Sequence, residues 1–179
     1  MIRSFLLRWM PAVALLAAAQ AAWAQSYDEG MAAYDAGDNV KARDIWAPLA
    51  AEGDAAAQYS LGKLLENGGK GIQRDYPRAA EWYRKSAAQG IAAAQNNLGL
   101  MYAQGRGVAR DAVRAAELWL VAGQKNHPIA QYNLALAYYR SDGLAEDKAK
   151  AEHWFRRAAQ LGLSDAQYAL GQVLSQGLT

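Results

Sequence analysis

Apolar residues recur along this chain at the spacing of one helical face. In three segments they occupy positions i, i+4, i+7 and i+8, with mostly small or polar residues between them. The three sets are Ala57, Leu61, Leu64 and Leu65; Ala94, Leu98, Met101 and Tyr102; and Ala130, Leu134, Ala137 and Tyr138. This spacing is typical of an amphipathic α-helix and argues against β-strands, whose apolar positions alternate. We call these three segments, and later copies of them, helices A.

A second helix, helix B, is predicted after each helix A. The apolar residues that we expect helices B to bury are Ala79, Trp82, Tyr83, Ala87; Ala115, Leu118, Trp119; and Ala151, Trp154, Phe155, Ala158. Asp75, Asp111 and Asp147 stand 36 residues apart, where these helices should begin. An Asp at the N-cap accepts a backbone N–H and suits the positive end of the helix, so these residues are expected to be caps.

The helices belong to a sequence repeat. The pattern A-Q-x-x-L begins at Ala57, Ala94, Ala130 and Ala166, with spacings of 37, 36 and 36 residues. A fixed period in this range indicates a solenoid of stacked units. The predicted fold is therefore all-α, an αα-superhelix of helix-turn-helix repeats. Residues 1–24 lie outside the repeats and are discussed below. We divide the rest of the chain into a degenerate N-terminal repeat at 25–53, complete repeats at 54–90, 91–126 and 127–162, and a C-terminal half-repeat at 163–179.

One position inside each helix A carries only a very small residue. Gly62 and Gly99 occupy it in the first two complete repeats, and Ala135 occupies it in the third. Glycine in a helix interior costs about 1 kcal/mol relative to alanine, so its presence needs a reason. We infer that another helix crosses helix A closely at this point.

The first 24 residues have the features of a secretory signal peptide. Arg3 and Arg8 form a basic start, a short apolar stretch covers 10–19, and residues 22–24 (Ala-Trp-Ala) match the A-x-A cleavage signature. The apolar stretch has about ten residues, whereas a membrane-spanning helix needs about 20. We therefore expect cleavage after residue 24 and a periplasmic or secreted protein. The alternative is an uncleaved membrane anchor.

Composition then excludes several kinds of function. Once Arg3 and Arg8 are removed, 17 basic and 17 acidic residues remain and the net charge is zero, so no basic surface for nucleic acid is expected. The chain has no cysteine, which excludes disulfides, thiol catalysis, a cysteine-based metal site and a lipoprotein anchor. We expect a monomer with no cofactor, no metal ion and no membrane span after cleavage.

Two sets of residues could suggest catalysis or metal binding. Ser60 and Lys63 form S-x-x-K, the nucleophile motif of penicillin-recognising enzymes, but the accompanying K-T-G is missing. The other repeats have different residues at the position of Ser60, namely Asn97, Asn133 and Ala169. The two histidines, His127 and His153, do not have metal-ligand spacing. We expect no catalytic residue and a protein that is not an enzyme.

The repeat resembles a known family. Residues 92–126 carry the run A-x-A-Q-x-x-L-G-x-x-Y-x-x-G-x-G-V-x-x-D, and the other copies agree in register. This run is similar to the Sel-1-like repeat, a relative of the tetratricopeptide repeat, and the resemblance covers about 38–179. It implies a right-handed superhelix with helices A on the concave side, and a role in assembling protein complexes, often in the bacterial envelope. Functions suggested for the cysteine-rich members do not carry over to this chain.

Opposite its core stripe, each helix A has a second face that is poor in charge and rich in Tyr and Leu. We call it the helix-A face. Its candidate partner-binding residues are Tyr59, Lys63, Asn96, Leu100, Tyr132, Leu136, Tyr139 and Tyr168. The cores of protein interfaces are likewise depleted in charge and enriched in aromatic residues. Two interpretations stay open: the face binds a partner, or its Tyr and Leu side chains pack between neighbouring helices A.

These observations favour an exported, non-catalytic scaffold or adaptor that binds a protein or peptide of the cell envelope in its concave groove. The alternative is a cell-envelope enzyme or glycan-binding protein that acts on cell-wall material. A full set of catalytic residues would favour the alternative, and the sequence shows none.

Overall fold

The computed structural model describes residues 26–175 of the chain, and this part is built from helices. The first, α1, covers residues 26–35. The helices that follow are α2 (Asn39–Ala51), α3 (Ala55–Asn67), α4 (Tyr76–Ala88), α5 (Ala92–Gln104), α6 (Ala112–Gln124), α7 (Pro128–Arg140), α8 (Lys148–Gln160) and α9 (Ser164–Ser175). The predicted signal peptide at 1–24 lies outside the described residues, as do residues 176–179 of the predicted half-repeat.

The helices begin and end at the residues that the sequence pattern indicates. Aspartate side chains accept the N–H three residues further on, at 2.7 to 3.1 Å, in front of α2, α3, α4, α6 and α8. In front of α7, Nδ1 of His127 accepts the N–H of Ala130 at 3.2 Å. After helices B, Gly90, Asn126 and Gly162 adopt positive φ angles of 91°, 62° and 86°. Left-handed residues at this position satisfy the last carbonyls of a helix and end it.

Each helix packs against its neighbours in the chain. Contacts within repeats join α3 to α4, α5 to α6 and α7 to α8, and contacts between repeats join α2 to α3, α4 to α5, α6 to α7 and α8 to α9. The larger hydrophobic cluster extends from Ala79 in α4 to Val173 in α9. A smaller cluster joins α1, α2 and α3 around the buried Trp46. The predicted all-α solenoid is confirmed.

The small-residue position of helix A lies under an aromatic ring of helix B. A Cβ atom at Gly62 would lie 2.7 Å from Cδ1 of Tyr83, and one at Gly99 would lie 2.5 Å from Nε1 of Trp119. Real Cβ atoms do not approach other atoms so closely. The inferred close crossing is therefore confirmed, and the crossing element is the ring of the helix B in the same repeat.

A glutamine in each helix A ties one repeat to the next. The side-chain amides donate to main-chain carbonyls eight residues earlier, in the last turn of the preceding helix B, at 3.1, 3.1, 2.8 and 3.4 Å. These glutamines are Gln58, Gln95, Gln131 and Gln167. Carbonyls in the last turn lack their regular intrahelical partner. Each of these four carbonyls accepts a main-chain N–H from the turn that follows the helix, and the glutamine adds a second hydrogen bond, which recurs at the repeat interfaces of the described chain.

Candidate functional site

The helix-A face is contributed by alternate helices. Tyr59 and Lys63 lie on α3, Asn96 and Leu100 on α5, Tyr132, Leu136 and Tyr139 on α7, and Tyr168 on α9. The tyrosines and leucines of α3, α5 and α7 are half-buried and pack against the larger hydrophobic cluster, whereas Lys63 is exposed. Tyr168 is 71% exposed. The face therefore combines half-buried side chains that pack against the core with exposed ones; packing is shown for the half-buried residues, and partner binding stays a prediction.

The expectation that Asn96 binds a partner is corrected by its burial. Asn96 is only 4% exposed. Its amide donates to Oδ1 of Asn97 at 3.1 Å, and its Oδ1 accepts from Nδ2 of Asn133 at 3.0 Å. Asn96 is therefore buried at the contact between α5 and α7, and it makes its hydrogen bonds within the chain.

Two of the predicted tyrosines also have structural partners. The ring of Tyr59 lies 5.8 Å from that of Tyr83, and the ring of Tyr132 lies 5.6 Å from that of Phe155, both tilted. These centroid distances are those of favourable aromatic pairs. Each ring therefore covers a buried aromatic residue of helix B, so these two side chains do pack within the chain, although against helix B and not between helices A.

A polar network next to Tyr59 is structural. The phenol of Tyr83 donates to Oε2 of Glu66 at 2.7 Å and accepts from Nδ2 of Asn97 at 3.1 Å. Burial raises the pKa of Tyr83 far above its usual range, and the hydrogen bond to Glu66 raises it further. The phenol therefore stays protonated and holds α3, α4 and α5 together.

Four of the eight predicted residues meet in one pocket between α7 and α9. Its volume is about 170 Å³. The pocket is lined by Tyr132, Leu136, Tyr139, Arg140, Phe155, Tyr168, Ala169, Gln172 and Val173. Phe155 and Val173 are buried and form its apolar base, while Arg140, Tyr168 and Gln172 are exposed at its edge. Tyr59, Lys63 and Leu100 do not line it.

Five lining residues were not among the predicted partner-binding residues, namely Arg140, Phe155, Ala169, Gln172 and Val173. Two of them are exposed and polar. Arg140 is the last residue of α7 and Gln172 lies one helical turn after Tyr168 on α9, with its amide donating to the Tyr168 phenol at 2.8 Å. Gln172 stands on the same face in the sequence pattern, so its spacing from Tyr168 could have identified it. Arg140 immediately follows Tyr139, and no periodic signal singles it out.

The residues considered for catalysis have ordinary structural surroundings. Ser60 is buried, with its hydroxyl 3.1 Å from the Tyr27 phenol, and Lys63 points its ammonium over the ring of Tyr34 at 5.4 Å. His127 caps α7, as described above. Within residues 26–175, acidic and histidine side chains do not gather into a group that could hold a metal ion. No helix in that range has the length and apolar character needed to cross a bilayer.

Comparison with known families identifies the repeat. The family described as "Sel1 repeat" matches residues 55–91, 92–127, 128–163 and 164–179. The chain belongs to the Sel1 repeat family. Its Sel1 repeats form a scaffold fold that generally mediates protein–protein interactions, and Sel1 repeat proteins are generally non-catalytic. A search of curated proteins found no match.

Solved structures of other Sel1 repeat proteins share the architecture. The protein c5321, a protective antigen of uropathogenic Escherichia coli strains with an SLR fold, is 32% identical, with a TM-score of 0.79. A Sel1 repeat protein from Oxalobacter formigenes is 30% identical, also with a TM-score of 0.79. The matches cover 86% and 84% of this chain, but only 34% and 61% of those chains. Both neighbours are thus longer than the matched region.

A more distant neighbour supports the fold alone. The cysteine-rich protein B of Helicobacter pylori is 21% identical, with a TM-score of 0.59, over 74% of this chain and 95% of that one. The present Sel1 repeat chain contains no cysteine. The shared solenoid therefore forms here without any contribution from disulfides, through packing, helix caps and the glutamine hydrogen bonds.

Proposed function

We propose that this Sel1 repeat protein is exported to the periplasm or beyond. There it acts as a non-catalytic adaptor that binds a protein or peptide segment in the concave groove lined by the helix-A face. The family supplies the general role, and the N-terminal signal-like segment supports export. The observation that carries the binding site is the pocket between α7 and α9, where three tyrosines and a leucine surround an apolar base.

The chemistry of this pocket suits a polypeptide partner. Tyrosine offers a large contact area with little side-chain entropy to lose, and its phenol can bond to a peptide backbone. Tyr168 is 71% exposed, so a partner can cover it without unfolding the chain. Tyrosine is among the residues enriched at interface hot spots, which lie in pockets that lose their water when the partner binds.

Site-specific photo-cross-linking tests the binding face. A photoreactive phenylalanine analogue is placed at Tyr168, and in a control at Arg84, which is exposed on helix B α4. Both proteins are incubated with periplasmic extract, and the adducts are identified by mass spectrometry. We expect a protein adduct at position 168 that is absent at position 84. Adducts at position 84 alone would place the interface on the other side of the solenoid.

The identified partner then allows a quantitative test. The double variant Tyr139→Ala, Tyr168→Ala should weaken its binding at least tenfold, about 1.4 kcal/mol, in isothermal titration calorimetry. Arg84→Glu should change the affinity little. Equal affinity of the double variant and the wild type would rule out these tyrosines as contact residues.

Export is tested separately. We expect the protein from a fractionated native host to be periplasmic or secreted and to begin at Gln25 when its N-terminus is sequenced. A cytoplasmic protein that retains Met1 would contradict this proposal without affecting the binding site.

A further inference from the structure

At the pocket between α7 and α9, one repeat lacks the polar side chain that makes a hydrogen bond at the same repeat position elsewhere. Between α1 and α3, the Tyr27 phenol lies 3.1 Å from the Ser60 hydroxyl. Between α5 and α7, Asn133 donates to Asn96 at 3.0 Å. Ala169 holds the position of Ser60 and Asn133 in α9, opposite Tyr132. Alanine has no group that could bond across the gap.

At the remaining gap, between α3 and α5, the hydrogen bond runs to helix B (α4) instead of to the preceding helix A. Asn97 stands at the position of Ser60 and Asn133, and it donates to the phenol of Tyr83 at 3.1 Å. Tyr59 packs against the ring of the same Tyr83. A polar side chain therefore fills this repeat position at three gaps of the described chain, and the gap with alanine is the one that holds the pocket.

The size of the pocket suits one apolar side chain. Its volume is about 170 Å³, and a cavity of about 150 Å³ lined by apolar side chains holds a benzene molecule. The base is formed by Phe155 and Val173, and the walls by Tyr132 and Leu136. These side chains offer dispersion contacts to a phenyl ring or a branched aliphatic group. A large charged side chain would lose its hydration there without an opposite charge at the base.

The edge of the pocket carries one positive charge. Arg140 lines the pocket, and its lining includes no carboxylate. Arg140 does not take part in the ion pairs formed within residues 26–175. A guanidinium group can bond a carboxylate through two parallel N–H groups, which gives direction as well as attraction. An occupant with a negative charge beside its apolar group would therefore be favoured over a neutral or basic one.

Together these features define the partner. The geometry points to an acidic peptide segment that inserts one Phe or Leu side chain between α7 and α9 and presents a neighbouring Asp or Glu to Arg140. This inference rests on the proposed function and deepens it, because it names the chemistry of the segment. The segment lies within a continuing chain, because the pocket opens on the helix-A face, whose half-buried Tyr and Leu side chains can support flanking residues.

A peptide selection tests this inference. A random dodecapeptide library on phage, with no free peptide C-terminus, is selected on the wild-type protein. We expect a consensus in which Phe or Leu lies next to Asp or Glu. The consensus peptide is then synthesised with both termini blocked, and its affinity is measured by fluorescence anisotropy. Changing the apolar residue to Ala, or the acidic residue to its amide, should each weaken binding at least fivefold.

Variants of the protein locate the peptide. Ala169→Asn places in α9 the residue that the neighbouring repeats carry, so it should fold normally while filling the pocket and weakening binding at least tenfold. Arg140→Glu should weaken binding at least fivefold and reverse the preference for acidic residues. Gly171→Ala is the matched control: it lies on α9 but outside the pocket lining, with no atom within 4 Å of an added Cβ. It should leave the affinity unchanged.

The outcomes separate this inference from the proposed function. Peptides that bind the wild type and Ala169→Asn equally well would overturn the pocket, yet would leave a peptide-binding adaptor in place. A consensus without acidic residues, or insensitivity to Arg140→Glu, would overturn the charge preference. Selection that enriches no peptide at all would overturn both the pocket and peptide binding by this face.

Discussion

The contact between Gly99 and Trp119 can be tested by adding a methyl group on one side and removing the ring on the other. Gly99 lies in the interior of α5, where alanine is intrinsically favoured by about 1 kcal/mol. In this chain the new Cβ would lie 2.5 Å from Nε1 and 2.9 Å from Cδ1 of Trp119. Trp119 is only 7% exposed, so the ring has little room to move away.

The clash should outweigh the gain in helix propensity. Overpacking a core typically costs about 1–3 kcal/mol, and shifting the ring also disturbs the hydrogen bond from its Nε1 to the main-chain oxygen of Asn96 at 3.2 Å. We therefore expect Gly99→Ala to lower the free energy of unfolding by up to about 2 kcal/mol. A Gly171→Ala control, at the equivalent position in α9, meets no atom within 4 Å. It should raise the free energy of unfolding by up to about 1 kcal/mol.

Removing the Trp119 ring should reverse the sign of the effect that Gly99→Ala has on the free energy of unfolding. Trp119→Ala alone should cost about 3–5 kcal/mol, because it empties a buried volume. In that background the methyl group of Gly99→Ala points into vacated space, so the same substitution should stabilise the protein by about 1 kcal/mol. The interaction energy from the double-mutant cycle should therefore be about 1–3 kcal/mol.

Urea unfolding followed by far-ultraviolet circular dichroism measures all four free energies. Because stacked repeats are coupled mainly to their neighbours, Trp119→Ala should also broaden the transition or split it in two. If Gly99→Ala stabilised both backgrounds equally, the ring would not lie over this glycine. An unchanged unfolding curve for Trp119→Ala would show that the repeat register is wrong.

Two further predictions concern the ends of helices. Asp111→Ala removes the carboxylate that accepts the Arg114 N–H at 2.9 Å. It should lower the free energy of unfolding in urea by about 1 kcal/mol, and Asp111→Asn should restore most of this loss. No loss would mean that solvent caps α6 equally well. Burial lowers the pKa of His127 below its ordinary 6.5, so the unfolded state binds protons more readily, and the contribution of His127 to stability should decline as the pH falls below 6.5. His127→Asn keeps a capping group without titrating, so its melting temperature should fall less than that of the wild type between about pH 7 and pH 5; parallel decreases would contradict this assignment.

The repeat register was predictable because each structural requirement selects a narrow class of residue. An aspartate before helix B, a left-handed residue after it and a very small residue inside helix A all follow from local geometry. Asp111, Asn126 and Gly99 meet these requirements in one repeat, and the structure confirms each role. Local rules repeated at a fixed spacing reinforce one another, so the all-α solenoid follows from the sequence with little ambiguity.

The candidate site was less predictable because its residues satisfy two requirements at once. Tyr132 stands on the helix-A face by its spacing, yet its ring covers Phe155 of the neighbouring helix B. Asn96 occupies the position of Tyr132 in the preceding repeat, yet it is buried and accepts a hydrogen bond from Asn133. Helical spacing gives the direction in which a side chain points, but its burial depends on which residue of a neighbouring helix it meets.

The glutamine hydrogen bonds show what a closer reading of the sequence could have added. The glutamine represented by Gln95 recurs in all four A-Q-x-x-L copies, directly after the alanine that begins the apolar stripe, where a polar side chain is expected to be buried. A buried amide needs a hydrogen-bond partner, and main-chain carbonyls in the last turn of the preceding helix lack their regular intrahelical donor and can accept it. The structure joins these two groups at 3.1 Å for Gln95. The recurrence of the glutamine therefore indicates an interface between repeats.

The contrast between the invariant and variable repeat positions explains how one scaffold can acquire a specific site. The glutamine at 58, 95, 131 and 167 does not change, because each repeat must be tied to the preceding one. Two residues later the chain has Ser60, Asn97, Asn133 and Ala169. The three polar residues make hydrogen bonds to a neighbouring helix: Ser60 with Tyr27 of α1, Asn97 with Tyr83 of α4 and Asn133 with Asn96 of α5. At the fourth position the residue is alanine and lines the pocket, while the Gln167 hydrogen bond still joins α9 to α8. If the pocket binds the proposed peptide, this solenoid gains a binding site where one repeat carries alanine in place of a hydrogen-bonding side chain, and the repeats on either side keep their common scaffold.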